Sequence, residues 1–561
     1  MEQDAATPTS RTFLLSVVVE DYFHHAAFSP WIQPERWRRF EARVGTNTRR
    51  VLDLLDEFGL KATFFTLGWI AEKAPDLVRE IARRGHEVAS KGFYHRGLQE
   101  MSHREFRLDV RRSREAIEAA SGFRCLGFRI PQGTFTPKDL WALDTLAEEG
   151  FAYDSSFYPR LWDVQAEPWR RMPHRHHHAG RDLWEVPLST VGPPWLSLPA
   201  AGGNYFRQAP AFLTRRLLES WHQFRPDPFS LYFHVWELDP DLPRIEAVDR
   251  LTRLRQYRNL DRMEPLLRDL FGRYSFTSIA RWLGLDSAAP LQDAPESPDP
   301  PAIRSRRRKE RRPNAPSEAR RLPITIVVPL FEEEQSLGYL RNTLEEALPR
   351  FEDRYEVHFV FVDDGSTDRT WEVLRQTFGD WPRVLFHRLP ENRGVAGAIL
   401  EGIRRAPTEV VCSIDADCTY DPRQLLEMIP LLSEDVDMVT ASPYHPQGQV
   451  LNVPKWRLTL SKGLSFLYRR VLHNRLATYT ACVRVYRRSA VERVQVREGG
   501  FLGVVEMLAR MDLAGSRIVE SPAVLEVRML GRSKMKILRT IRGHLRLYQQ
   551  IAAARYLGRT P

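Results

Sequence analysis

The sequence predicts an α/β protein of two domains, each alternating strand-like and helix-like segments, on three observations. Apolar runs recur with segments of helical spacing between them: Leu14–Val19, Ala62–Gly68 and Glu87–Ser90 in the first half, Ile324–Pro329, Val357–Val362 and Val410–Ile414 in the second. Several of these runs break into carboxylates or glycine where they end, as buried parallel strands do when their carboxyl ends open on a ligand crevice. Between the halves, a proline-punctuated polar stretch has no periodic apolar positions and cannot bury a core. The expected division is 1–285, a linker over 286–322, and 323–561.

A chain of 561 residues exceeds what one core supports, and 43% hydrophobic with 27% charged residues describes a soluble globular protein. The net charge of +10 favours anionic partners (nucleotide phosphates, lipid phosphates, anionic leaflets or nucleic acid) without choosing among them. Cys125, Cys412, Cys418 and Cys482 form no CxxC pair and no disulfide framework, so a reducing compartment is expected. Met1–Asp4 is acidic and polar, unlike a secretory leader, and no run approaches the roughly 18 apolar residues of a membrane span. The expected location is cytoplasmic, with peripheral attachment at the inner face of the membrane left open.

In the first half, Leu14–Val19 ends in Glu20 and Asp21, and Val51, Leu52, Leu55 and Phe58 mark a helix over Thr48–Phe58. Pro75 opens a second helix through Leu77, Val78 and Ile81, closed by Gly85. Ser16–Phe23, Ala62–Gly68, Gly85–Glu87, Gly127–Pro131, Tyr153–Ser156 and Phe233–Glu237 resemble, in this order, the motifs of polysaccharide deacetylases of carbohydrate esterase family four, closest to the branch found with exopolysaccharide export. The resemblance covers most of the first 285 residues. It implies a distorted (β/α) barrel that removes acetyl groups from N-acetylated sugars with a metal such as zinc. Such a site takes an aspartate base, a second carboxylate and two histidines four residues apart. Val18 stands at the base position and Lys91 at the first histidine, while Glu20, Asp21, His95, Arg129 and His234 remain. A charged ammonium cannot ligate a cation, so zinc is not expected here and the domain reads as degenerate. Lys91 either replaces the metal's charge, paired with Glu20 or Asp21, or points to solvent. The tract Pro173–His178 reads as an exposed loop rather than a metal site, and Gly202–Arg207 as a structural turn. The basic run Arg304–Arg312 reads as solvated, with nucleic acid not expected as a partner.

In the second half, Ile324–Pro329 is followed by Phe331–Glu334, expected to lead into a helix with an acidic first turn. Val357–Val362 ends in Asp363, Asp364 and Gly365, a pair suited to accepting hydrogen bonds from a base and ribose; Asn392–Gly394 opens a helix. Val410–Ile414 then delivers Asp415 and Asp417. Carboxylates at i and i+2 can converge on one hard cation, Mg²⁺ or Mn²⁺, that neutralises a diphosphate, although Asp-x-Asp is also common in solvated turns. The four strand ends resemble the family-two glycosyltransferases of GT-A, Rossmann-like fold. Arg457 with Ser461, and Arg528 with Gly531, Ser533 and Lys534, resemble the phosphate contacts of dolichol-phosphate mannose synthases and their bacterial polyprenyl-phosphate relatives. The resemblance runs from about Ile324 to Lys536 and implies donor contacts at Pro329, Phe331, Glu333, Val362, Asp364, Asp415, Ala416 and Asp417. Glu332 stands where an asparagine is usual, Pro443 where an arginine is, and Thr419 at a position that often helps hold the metal. Over Lys534–Tyr556, Met535, Leu538, Ile541, Leu545 and Tyr548 form one stripe beside Lys536, Arg539, Arg542 and Arg546. That helix either lies in a membrane interface or packs its stripe on the transferase core.

The expected function is transfer of a sugar from a nucleotide donor to a polyprenyl-phosphate or other lipid-linked acceptor in cell-surface polysaccharide synthesis. Asp364 and Glu333 would seat the nucleoside, and Arg457 and Arg528 would position an acceptor that is already anionic. A bifunctional deacetylase–transferase and a non-enzymatic scaffold at an anionic surface stay open as alternatives.

Overall fold

A computed structural model of the protein describes residues 12–133, 135–159, 168–178, 180–192, 198–225, 227–285, 321–453, 455–531 and 537–557. The chain forms two compact units, one built mainly from 12–285 and the other mainly from 321–557. The expected linker lies outside the described residues apart from its last two, and Leu322 already begins a strand.

The first unit is organised by strand β1 (Thr12–Val19), in which every residue after Thr12 is buried. Helix α1 (Val44–Glu57) precedes β2 (Thr63–Thr66), and α2 (Pro75–Arg83), with proline in its first turn, precedes β3 (Glu87–Ser90). Then come α3 (His103–Ser121), β4 (Gly127–Phe128), β5 (Tyr153–Asp154), β6 (His174–His178), β7 (Arg181–Glu185), α4 (Gly203–Gln208), β8 (Ser230–His234) and β9 (Ser275–Thr277). The strands join in the order β8-β1-β2-β3-β4-β5-β7-β6, with β9 on β1, and all but the β6–β7 pair run parallel. No ladder among the described residues closes this path into the expected barrel. Strand alternation sends Phe13, Leu15, Val17 and Val19 into a core with Val51, Leu55, Val78 and Ile81 of the helices, while Leu14 packs with Phe65, Ala89 and Tyr153 on the other face. Ser16 and Val18 share the face of Leu14, and Glu20 follows where the strand ends.

Two expectations are corrected in this unit. The histidine tract is strand β6, paired antiparallel with β7 from His174 opposite Glu185 to His178 opposite Arg181, so its amides find backbone partners that a loop would have left to water. Gly202–Arg207 is not a turn: Gly202 caps α4, and a Cβ would stand 2.8 Å from Tyr232 Oη at Gly202 and 2.5 Å from Glu237 Oε2 at Gly203.

The second unit centres on β10 (Leu322–Leu330), which pairs in parallel with β11 (Tyr355–Asp363) on one side and β13 (Val410–Ser413) on the other. With β12 (Val384–Arg388), β14 (Met438–Ser442), β15 (Arg484–Arg487) and β16 (Ile518–Pro522) it makes a seven-stranded sheet in the order β12-β11-β10-β13-β15-β14-β16. The direction reverses at β15, which is antiparallel to both neighbours. Helix α5 (Leu337–Glu352) has no acidic residue in its first turn, contrary to expectation. Glu332 to Glu334 bend before it, with Glu332 at φ +51°. Asparagine tolerates that left-handed conformation better than glutamate does. Gly394, at φ +78°, precedes α6 (Val395–Arg405); a Cβ on it would lie 2.7 Å from the Gly499 carbonyl carbon.

Helices α7 (Lys455–Val471), α8 (Phe501–Leu513) and α9 (Ile537–Leu557) complete the unit. α9 packs on the core through Leu547 and Ile551, flanked by Tyr548 and Ala552, and through His544, whose Nδ1 is 3.1 Å from Tyr468 Oη. The expected stripe is therefore offset: Leu545, one of its members, is 50% exposed. Met535 lies outside the described residues. Among the described residues no helix is long and apolar enough to cross a membrane.

Candidate functional sites at two sets of strand ends

In the second unit, β13 ends where Ile414 N donates to Val327 O at 3.1 Å, and the chain turns at once. Cys418, at φ +52°, donates its amide to Asp415 O at 3.2 Å. This turn brings the carboxylates of Asp415 and Asp417 to the same end of the sheet, with Ala416 buried between them. Thr419 ties both: its amide donates to Asp417 Oδ1 at 3.1 Å and its hydroxyl to Asp415 Oδ2 at 3.4 Å. Burial and the neighbouring Asp417 push the Asp415 carboxyl up to about 7, against the pull of Arg528. Arg528 bridges the cluster, with Nε donating to Asp417 Oδ2 at 2.5 Å and Nη2 to Glu333 Oε1 at 3.0 Å. Burial works against the Arg528 charge, and Asp417 and Glu333 outweigh it, holding the guanidinium above its ordinary range. Glu333 is fixed by Ser336, whose hydroxyl donates to Oε2 at 2.6 Å, and its amide donates to Thr370 Oγ1 at 2.7 Å.

The Asp363–Asp364 pair divides. Asp363 turns inward, accepting from Ser366 N at 3.2 Å and meeting Arg388 Nε at 3.1 Å. Asp364 Oδ1 accepts from Arg393 N at 2.7 Å, and burial holds its carboxyl above the ordinary range. Pro329 and Val362 lie opposite each other across β10 and β11, and Phe331 is half-buried beyond the strand end. Gly531, at φ +72°, leaves only 3.3 Å between a would-be Cβ and Arg528 Nη1.

In the first unit, the ends of β1, β3 and β8 converge on Glu20, which is fully buried. His95 Nε2 lies 3.0 Å from Glu20 Oε2, and His234 Nε2 3.3 Å from Oε1. Burial works against the Glu20 charge, and His95, His234 and Lys91 outweigh it, holding the carboxyl well below its usual range. Lys91 does not point to solvent: it is 5% exposed, and burial depresses its ammonium to about 8 despite the attraction of Glu20. Arg129 is buried over the Phe65 ring, donating from Nη1 to Ser16 Oγ at 3.0 Å and from Nε and Nη2 to Ser155 O and Oγ at 3.0 and 2.8 Å. Asp21 is not available as a partner for Lys91, because its carboxylate accepts the amides of Tyr22, Arg43 and Val44 at 3.0, 2.8 and 3.0 Å. Val18 lies opposite Phe65 and His234 in the ladders.

Comparison with known proteins assigns both units. The profile of polysaccharide deacetylases matches residues 37–148, and that of glycosyl transferase family 2 matches residues 325–495. The protein carries a polysaccharide deacetylase domain and a family-two glycosyltransferase domain. A domain of unknown function matches 155–284, between the two. The transferase domain is 29% identical over 221 residues to a dolichol-phosphate mannosyltransferase of Pyrococcus furiosus, covering 38% of this chain and 60% of that protein. It is 29% identical over 217 residues to a polyprenol monophosphomannose synthase of Mycolicibacterium smegmatis, covering 37% of this chain and 80% of that one. A solved mannosyltransferase from Pyrobaculum calidifontis aligns with TM-score 0.29 at 21% identity, over 42% of this chain and 66% of its own.

In the transferase domain, the structure thus gathers Glu333, Asp415, Asp417 and Arg528. Arg457 falls on α7, one turn before Ser461, whose hydroxyl is 3.0 Å from Thr480 Oγ1; Ser533 and Lys534 lie outside the described residues. Sequence reasoning missed Ser336 and Thr370, which fix Glu333; the Glu-x-x-Ser spacing of Glu333 and Ser336 was a usable signal, while nothing pointed to Thr370. Two carboxylates two residues apart at one strand end, with the proton affinity of Asp415 raised by burial and by Asp417, are a donor set suited to a hard divalent cation. In the deacetylase domain Lys91, which cannot ligate a cation while charged, is buried near Glu20, and the Asp21 carboxylate already accepts three amides, so neither side chain is placed as a zinc donor. His25, four residues after Asp21, was also missed; burial depresses it to about 4.

Proposed function

We propose that the transferase domain moves a sugar from a nucleotide-sugar donor to a lipid-linked phosphate acceptor, of the kind named for its polyprenol- and dolichol-phosphate relatives. The observation that carries this reading is the bridge from Arg528 to both Asp417 and Glu333 at the end of a buried strand. A guanidinium held there by two carboxylates is placed to exchange them for phosphate oxygens, with planar bidentate geometry and no change in protonation. Asp415 and Asp417 would hold Mg²⁺ or Mn²⁺, which would neutralise the departing diphosphate. Asp364, fixed at Oδ1 by the Arg393 amide, would accept from the nucleoside. A phosphate acceptor arrives ionised, so positioning by Arg528 and by α7 takes the place of a general base.

Peripheral membrane attachment from the cytoplasmic side belongs to the same proposal. α7 exposes Trp456 (46%), Leu460 (37%) and Phe466 (55%) on a helix that also carries Lys462, Arg469 and Arg470. Apolar anchors beside cations suit an anionic lipid interface. The deacetylase domain, in this reading, has no metal-dependent deacetylase activity and serves as a glycan-binding module. The test is a screen of nucleotide sugars for nucleoside diphosphate release, with and without polyprenyl phosphate, in Mn²⁺ and in EDTA. Acceptor-dependent release is expected; release that ignores the acceptor in every donor, or none at all, refutes the assignment.

A further inference from the structure

We infer that the deacetylase domain binds a carboxylate-bearing sugar without a metal, at the cluster of Lys91, Arg129 and Glu20. The inference rests on the proposal that this domain binds glycan, and adds what kind.

Lys91 is buried, yet its ammonium, with three N–H donors, makes a single long contact, to Pro131 O at 3.4 Å. Arg129 is equally buried and bonds only neutral oxygens, those of Ser16 and Ser155. Among the described residues no carboxylate oxygen comes within 4.0 Å of either cation. The acidic groups near Arg129, Asp154 and Glu185, are both driven toward the neutral form, by burial first and, for Glu185, by Asp154 as well. Glu20, the carboxylate nearest Lys91, is already shared by His95 and His234. Buried cations with donors left over are costly unless an anion meets them.

Val18 shows what is missing. It lies on the same face of β1 as Ser16, which Arg129 bonds, and one pleat before Glu20, in register with Phe65 and His234. An isopropyl group therefore stands on the face that carries Ser16 and leads to Glu20, where it offers neither cation a counter-charge. A ligand carboxylate entering past His234, whose side chain is 17% exposed, would take the unspent Lys91 donors. The same ammonium would repel a divalent cation, so the two modes of use exclude one another.

The experiment is calorimetric titration of the full chain, in EDTA at low salt, with trigalacturonic acid and with the neutral tri-N-acetylchitotriose. Saturable binding of the trigalacturonate is expected, weakened about tenfold or more in Lys91→Met by loss of a charge-assisted hydrogen bond. Val18→Asp should weaken it as well, because the new carboxylate competes for the same cations, and its normal melting curve would show that the fold is kept. Trigalacturonate binding that is unchanged in both variants overturns the inference by placing the ligand elsewhere. Binding of the chitotriose alone overturns it while leaving the glycan-binding reading standing. Binding of neither sugar overturns both.

Discussion

Both units bring charged side chains to strand ends, but they balance them differently. In the transferase domain the cation is an arginine in direct contact with two carboxylates, Arg528 with Asp417 and Glu333. In the deacetylase domain the cation is a lysine with none in contact, and the nearby carboxylate is taken by two histidines. Arg528 gains charge stability from its surroundings while Lys91 loses it, so the first cluster is ready to exchange ligands and the second still needs one. The difference lies in the side chains at the strand ends: Val18 carries no charge, and Lys91 has no carboxylate in contact.

The comparison breaks most sharply at Asp417. Asp417→Asn should lower transfer by about 10²–10³, the usual loss when one group that stabilises developing charge is removed, with the melting curve little changed. Full turnover in this variant would remove the strand end from the chemistry.

Lys91→Met should act in the opposite sense and stabilise its unit. The unfolded chain keeps the Lys91 proton up to its ordinary 10.5 while the folded one releases it near 8, so the folded state is penalised below pH 8. That 2.5-unit difference corresponds to about 3 kcal/mol. The penalty fades as pH rises from about 8 to 10.5, so wild type should approach Lys91→Met in stability over that window. Melting temperatures of the pair across pH 7–11 check the direction; a variant that is less stable throughout would show Lys91 to be a stabilising partner of Glu20.

How far the sequence disclosed these clusters follows from what local pattern encodes. The β-branched run before Asp415 made strand β13 legible, because a strand buried on both faces leaves a continuous apolar signature. The burial of Lys91 was not legible, because it depends on which strands close over the side chain. The strand at His174–His178 was hidden because five polar residues give no alternating apolar signal. For α9, helical spacing was right and the stripe only partly so: Tyr548 flanks the core, but Leu545 is exposed and 544, 547 and 551 carry the packing, a choice only the partner helices make. The inward turn of Asp363 and the bridge from Arg528 across 111 positions to Asp417 are tertiary facts without local cause.

Smaller effects sharpen the contrast. Arg528→Met leaves Asp417 and Glu333 without their shared cation and should destabilise the transferase unit by about 2 kcal/mol, less than a fully buried pair because the arginine is partly exposed. Chemical denaturation reads this directly, and transfer should fall in parallel. Glu332→Asn, which suits φ +51° better, should stabilise the same unit by about 0.5 kcal/mol net of the lost bond from Thr367 Oγ1.

The most direct test measures zinc and acetate together. The chain carrying Asp417→Asn, so that the transferase carboxylates do not contribute, is dialysed against Zn²⁺ and assayed for bound metal and for acetate release from an N-acetylglucosamine oligomer. With Val18 and Lys91 in place, no stoichiometric zinc and no acetate are expected, and Val18→Asp with Lys91→His should bind close to one equivalent. One equivalent of zinc and steady acetate release from the unaltered deacetylase domain would contradict the account, and would make the protein a bifunctional enzyme.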